Sequence, residues 1–315
     1  MRSRLPGSAM AERQVAGGNG GPCACCVTHP GRRRFVRLVG AGAALATGLP
    51  AWAREGVEVG PPSVLTKLVS EQQVESAALR QYSGMLGQAA QRRALGPDAH
   101  PQVVRLRAIA QRIIPFTYEW NPQARQWRWE VNVIGSKQIN AFCMPGGKIV
   151  FYYGILEQLK LSDDEVATVM GHEMTHALRE YAREQMGKNM ATRGAIEIGS
   201  AILGLGNASR LVADMGGQLL SLRFGRADET EADLVGLELA ARAGYDPKAA
   251  IMLWQKMAAA SKRAPVELLS THPSGPTRIS DIQANLPKVE PLYARAAKPE
   301  RRFGAPGDAA TPGRT

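Results

Sequence analysis

Apolar residues recur at helical spacing between 63 and 94, at Val64, Leu65, Leu68, Val69, Val74, Leu79 and Leu86, and the pattern stops near Gly96-Pro97. A three- to four-residue recurrence predicts an amphipathic helix. A second helix fits 101–114 through Val103, Val104, Leu106, Ile109, Ile113 and Ile114, with Pro115 as its stop. The period then changes. Trp127, Trp129, Val131 and Val133 alternate with Arg128, Glu130 and Asn132, which predicts a half-buried antiparallel strand. Ile139 to Met144 and Lys148 to Tyr153 predict two more strands, joined through Pro145-Gly146-Gly147. Helices are expected over about 155–160, 163–186, 190–204, 208–223, 227–243, 247–260 and 276–285. The Gly- and Ala-rich stretch 187–217 is interrupted by Glu197, Arg210 and Asp214, so it does not read as a membrane span.

Composition adds an address and removes a partner. With 44% hydrophobic and 21% charged residues, the 315-residue chain is neither disordered nor a multi-span membrane protein. Its formal charge of +11 is uneven. Residues 1–53 hold seven Arg against one Glu, and the other 262 residues hold 32 basic against 27 acidic groups, so no nucleic-acid partner is expected. Arg32-Arg33-Arg34-Phe35-Val36-Arg37, the uncharged run Leu38 to Pro50 and Ala51-Trp52-Ala53 form a basic region, an apolar region and a small-x-small cleavage site. This resembles a twin-arginine export signal, and cleavage after Ala53 predicts a periplasmic chain beginning at Arg54. An uncleaved leader would leave it membrane-associated; after cleavage no stable span is expected. Cys23, Cys25 and Cys26 fall in the leader, leaving Cys143, so no internal disulfide is expected. From Lys288, Pro, Gly, Ala and Arg dominate, and 288–315 reads as a disordered basic tail dispensable to the domain at 54–287.

Chemistry enters at His172-Glu173-Met174-Thr175-His176. On a helix, residues four apart share a face, so both imidazoles can point at one ion with Glu173 beside its open position. Ser162 to Glu165 reads as a capping box ahead of an apolar stripe at Val166, Val169, Met170, Ala177, Leu178 and Tyr181, which supports the helix. A third ligand is needed, and Asp228-Glu229-Thr230-Glu231-Ala232-Asp233 offers candidates. Glu229 and Asp233 lie one turn apart, which favours Glu229 as ligand and Asp233 as acceptor for a ligand imidazole N–H; Glu231 points elsewhere. Imidazole plus carboxylate donors favour one Zn2+. His272, in Ser270-Thr271-His272-Pro273, and Arg278 fit the mouth of a cleft, His272 as an oxyanion stabiliser, a movable fourth ligand, or only a loop residue capping the next helix. His100 reads as an exposed turn residue, and Cys143 as a buried strand residue rather than a nucleophile.

Asn140-Ala141-Phe142-Cys143-Met144-Pro145-Gly146-Gly147-Lys148-Ile149, then His-Glu-x-x-His, Glu-x-Glu-Ala-Asp and Ser-x-His-Pro with a following Arg, resembles the HtpX/BepA/LoiP-type zinc metallopeptidases. The Ste-type prenyl-protein proteases are similar. The resemblance runs over about 62–286 and implies an α+β, mainly helical, gluzincin-like core with a small antiparallel sheet beside the active-site helix. It implies His172, His176 and Glu229 as zinc ligands, Glu173 as the catalytic glutamate and Asp233 as the acid that supports a ligand imidazole, with His272 and Arg278 matching the last motif. It also implies proteolytic quality control, with unfolded or misfolded envelope proteins as substrates. The transmembrane helices of some branches and the helical repeats of BepA have no counterpart here, so a prenylated substrate is not expected. Cys143 stands where small residues are more usual. Asn140, Ala141, Phe142 and Cys143 are expected to bind the substrate backbone as an added strand. A zinc-binding chaperone whose site stays closed is the rival expectation.

Overall fold

Asp163–Leu178 runs as one helix in which every residue but Asp164 is buried. A helix buried on all sides lies at the centre of a core, where its polar groups must find partners, and the rest of the chain is arranged around this one. The computed structural model describes residues 54–202, 219, 222–263, 265–273, 275 and 277–307 of the 315. The leader expected over 1–53 lies outside the described residues, as does nearly all of the helix expected at 208–223; 222–225 are not helical.

A 3-10 turn at Val64–Leu68 precedes α1 (Glu71–Gln91) and α2 (Pro101–Thr117). Then follow β1 (Glu130–Ile134), β2 (Ala141–Met144), β3 (Lys148–Tyr152), α3 (Tyr153–Gln158), α4 (Asp163–Leu178) and α5 (Tyr181–Ile202). The chain continues through α6 (Arg226–Arg242), α7 (Ala249–Ser261), the short α8 (Glu267–Thr271) and α9 (Arg278–Arg295). α4 packs between β2 on one side and α6 on the other, with α2 and α7 closing the remaining faces. The expected α+β, mainly helical class holds.

The sheet is mixed rather than antiparallel. Its order is β1-β3-β2, with β2 antiparallel to β3 but β1 parallel to it, Glu130 opposite Lys148. Alternation reports which face is buried, not which way the neighbour runs; here the β2–β3 hairpin places β3, not β2, against β1. The far side of β1 is met by Leu95 and Gly96, so among the described residues β2 is the edge left open. Asn140 accepts from Tyr152 N–H at 3.1 Å. In an antiparallel ladder that phase turns the backbone groups of Ala141 and Cys143 outward.

Helix ends depart from the expected ones for local reasons. The helix expected over 63–94 is broken at Val69 and Ser70, both extended, and the one over 163–186 at Glu180, whose φ of 57° ends α4. α2 runs past Pro115 to Thr117, since a proline in the last turn forfeits one bond. α9 passes both Pro287 and Pro291, four residues apart on the exposed side, where water can serve the freed carbonyls, while Ile282, Leu286, Val289 and Leu292 face the core. The disordered tail expected from Lys288 is therefore corrected: 288–295 are helix, and 296–307 fold back onto the start of α4. Phe303 N–H donates to Asp163 Oδ2 at 2.7 Å and Arg302 pairs with Asp164 at 2.7 Å. Residues 308–315 lie outside the described residues.

The start of α4 is thus a hub. Its capping box forms as expected. The fully buried Arg105 donates to Asp163 Oδ1 at 2.7 Å and to the Leu161 carbonyl at 2.6 Å, and Lys256 pairs with Glu165 at 2.7 Å. The helix carrying His172, Glu173 and His176 is pinned to α2, α7 and the C-terminal strap through three consecutive acids.

Candidate metal centre

α4 and α6 touch backbone to backbone. A Cβ on Gly171 would lie 2.6 Å from the Gly236 carbonyl oxygen, and one on Gly236 2.6 Å from His172 N. No other residue permits that approach, and it brings the imidazoles of α4 against the carboxylates of α6. His172 Nδ1 lies 3.0 Å from Asp233 Oδ1 and donates to it, which leaves its Nε2 as a lone pair. That Nε2 faces His176 Nε2 at 3.1 Å, and Glu229 places Oε2 3.5 Å from the first and Oε1 3.5 Å from the second. Burial holds His176 well below its usual pKa, hence neutral. Two imidazoles and a carboxylate converging on one point are the chemistry of a cation site, and the set fits zinc. His272 adds a fourth donor: one ligand atom from each of His172, His176, Glu229 and His272 lies within 4.8 Å of the others.

Glu173 lies in the same cleft, 2% exposed, with Oε1 unpartnered among the described residues and Oε2 3.7 Å from His272 Nε2. Burial raises its pKa, against the pull of His272 and His172. His272 is the residue that ends α8, not the cap of α9, whose N-cap is Thr277. Its Nδ1 stands 2.9 Å from Glu229 Oε1. Burial opposes its charge, but Glu173 and Glu229 outweigh burial and raise its pKa. Phe224 stacks beside both rings, 4.1 Å from His176 and 5.3 Å from His272 by centroids.

Asn140, Ala141, Phe142 and Cys143 line the cleft opposite Glu173 and His176. Cys143 is buried and, among the described residues, is the free cysteine; burial, then Glu173, pushes its thiol pKa up. Two expected placements change. Arg278 is not at the mouth but behind the donors, 6% exposed, its Nε 2.6 Å from Asp233 Oδ2 and its Nη2 3.2 Å from Glu229 Oε2. Two buried carboxylates one turn apart repel, and a cation between them offsets that. Burial pushes the Asp233 pKa up, but Arg278 and His172 outweigh it and hold it below the usual range. His100 is half-buried and caps α2, accepting from Gln102 N–H at 3.2 Å. Glu231, as expected, turns away, to Arg179. Sequence reading missed Gly171, Gly236, Phe224 and Trp254. The glycines had a signal, since glycine inside a helical pattern costs stability unless close packing requires it.

Residues 101–286 match the profile of peptidase family M48. The chain belongs to that family. Among M48-type relatives, mitochondrial metalloendopeptidase OMA1 of Arabidopsis thaliana is 43% identical over 159 residues, 50% of this chain and 32% of the relative. OMA1 of Schizosaccharomyces pombe is 34% identical over 197 residues, 62% of this chain and 56% of the relative. The beta-barrel assembly-enhancing protease of Escherichia coli K12 is 28% identical over 179 residues, 53% and 36% respectively. The chain spans from about a third to just over half the length of these relatives. The names of the plant and yeast relatives point to the mitochondrion and correct the periplasmic location expected from 32–53. An Arg-rich, acid-poor N-terminus suits a mitochondrial transit segment as well as an export signal, so its composition does not separate the two. No helix among the described residues is long and apolar enough to cross a membrane.

Proposed function

We propose that this M48 chain is a zinc-dependent endopeptidase that hydrolyses peptide bonds in extended segments of unfolded or misfolded proteins, as in quality control. The observation that carries the reading is the convergence of His172 Nε2, His176 Nε2 and Glu229 around one point, with the unpartnered Glu173 oxygen beside it. His172, His176 and Glu229 would hold the ion, and His272 lies close enough to join them. A bound zinc supplies a Lewis acid that polarises a carbonyl and brings the pKa of water to about 7.

The protein's own groups do the remaining work. Glu173, its pKa raised by burial, accepts the proton of the attacking water and returns it to the leaving amine. Asp233 holds the His172 ring so that Nε2 faces the point where the donors converge and an ion would sit. The open β2 edge at Ala141 and Cys143 suits pairing with an extended chain, which favours unstructured substrates over any sequence. Asn140 Oδ1 already accepts from Ala141 N–H at 3.0 Å, so that amide is released only if the Asn140 side chain turns.

A second reading has an observation of its own. His272 Nδ1 stands 2.9 Å from Glu229, and the cleft beside it holds about 50 Å³, room for a water. A zinc-binding chaperone with a permanently closed site predicts stoichiometric zinc, no proteolysis by the wild type, and activity gained in His272→Ala. The peptidase reading predicts casein cleavage by the wild type and none by Glu173→Gln, with zinc content unchanged. Full activity in Glu173→Gln sinks the mechanism.

A further inference from the structure

The Arg278 guanidinium is clamped on three sides. Its Nε and Nη2 reach both oxygens of Asp233, at 2.6 and 2.8 Å, and Nη2 also reaches Glu229 Oε2 at 3.2 Å. Trp254, on α7, presents its ring face to the same group: the Arg278 Cζ stands over the indole, 3.4 Å from its centroid. The same indole meets the His172 ring edge to face, with centroids 6.1 Å apart at 68°. Trp254 is 5% exposed, and its Nε1 has no hydrogen-bond partner among the described residues, so no polar contact fixes the ring. A buried tryptophan with an unpaired N–H beside a buried arginine is an expensive choice for simple filling, because an aliphatic side chain avoids the orphaned donor.

We propose that Trp254 is a positioning residue of the metal centre: its face sets the plane of Arg278, and through it the Glu229 carboxylate, while its edge backs the His172 ring. The need is physical. Glu229 and Asp233 are buried like charges on one face of α6, and Arg278 orders both from a single Nη2. Arginine has a long side chain that finds solvent when nothing holds it. A flat aromatic face holds it without competing for its N–H groups. The proposal rests on reading His172, His176 and Glu229 as metal donors.

The test is Zn2+ affinity of the full-length chain, measured by competition with a chromophoric chelator, for wild type, Trp254→Phe and Trp254→Leu, each alone and with Arg278→Met. A desolvated cation–π contact corresponds to about 30-fold. Trp254→Leu should weaken zinc binding by about 10- to 30-fold, and Trp254→Phe, which keeps an aromatic face, by only a few fold. In the Arg278→Met background the difference between Phe and Leu should vanish, because the group the face acts on is gone. If Trp254→Leu does not fold, Trp254→Met takes its place in the same cycle. Equal losses for both replacements, unchanged affinity, or a Phe–Leu difference that persists without Arg278 would each overturn the proposal. Because the readout is zinc binding, failures separate: a wild type that binds no zinc removes the metal reading, whereas a zinc-binding wild type matched by its Trp254 variants removes only the role of Trp254.

Discussion

Adding one carbon at Gly236 probes the geometry on which the centre depends. A Cβ there would lie 2.6 Å from His172 N, 2.8 Å from Gly171 C and 2.9 Å from His172 Cα, where ordinary contacts run 3.4–4 Å. All three are backbone atoms of α4, which is packed on every side, so no rotamer relieves the clash. The two helices must part by about 0.8 Å, since close-packed interiors transmit rather than absorb such strain. Glu229 and Asp233 ride on α6 and move with it. Alanine gains about 0.5–1 kcal/mol of helix stability over glycine, and overpacking costs about 1–3 kcal/mol. The net loss is therefore at most about 2.5 kcal/mol, which a domain stable by about 5–15 kcal/mol survives. A shift of about 1 Å in a catalytic constellation can nonetheless cost about 100-fold in rate. Gly236→Ala should thus fold, as judged by circular dichroism, and lose about 100-fold in kcat/KM on unfolded casein. Gly84→Ala, on α1 where a Cβ meets nothing within 4 Å, is the control and should gain about 0.5–1 kcal/mol with activity unchanged. Wild-type activity in a folded Gly236→Ala protein would refute the claim that glycine packing sets the site.

Asp233→Asn keeps the shape but loses the charge that orients His172, and zinc affinity should fall about 10- to 100-fold in a chelator competition. Asp233 also makes acid-side stability testable. Its folded pKa is held below the unfolded value of 3.8, so its contribution is present above about pH 4 and lost as pH falls through the folded pKa; melting curves of Asp233→Asn should be flatter than wild type in that window. Truncation after Pro287 exposes the surfaces that Val289 and Leu292 cover, about 1.5–3 kcal/mol each, and removes the Arg302 and Phe303 contacts, so it should unfold the domain. Chelation should abolish cleavage and lower the melting temperature, and added zinc should restore both.

Periodicity along the chain marked the helices and strands, because burial of one face leaves a trace in every turn. The spacing of His172 and His176 carried the metal hypothesis, because residues four apart on a helix must share a face. Residues one turn apart in 228–233 narrowed the third ligand by the same reasoning. These are local relations, and local geometry is written in local sequence. What the sequence did not carry was the relation between elements. That β1 runs parallel to β3 depends on where a hairpin inserts. That α9 continues through two prolines depends on which side of it faces water. That Arg278 lies behind the ligands follows from the two carboxylates of α6 being buried against α4, at a glycine crossing between helices some sixty residues apart. The tertiary structure decided these because each turns on contacts between distant segments, and no window of sequence contains both partners.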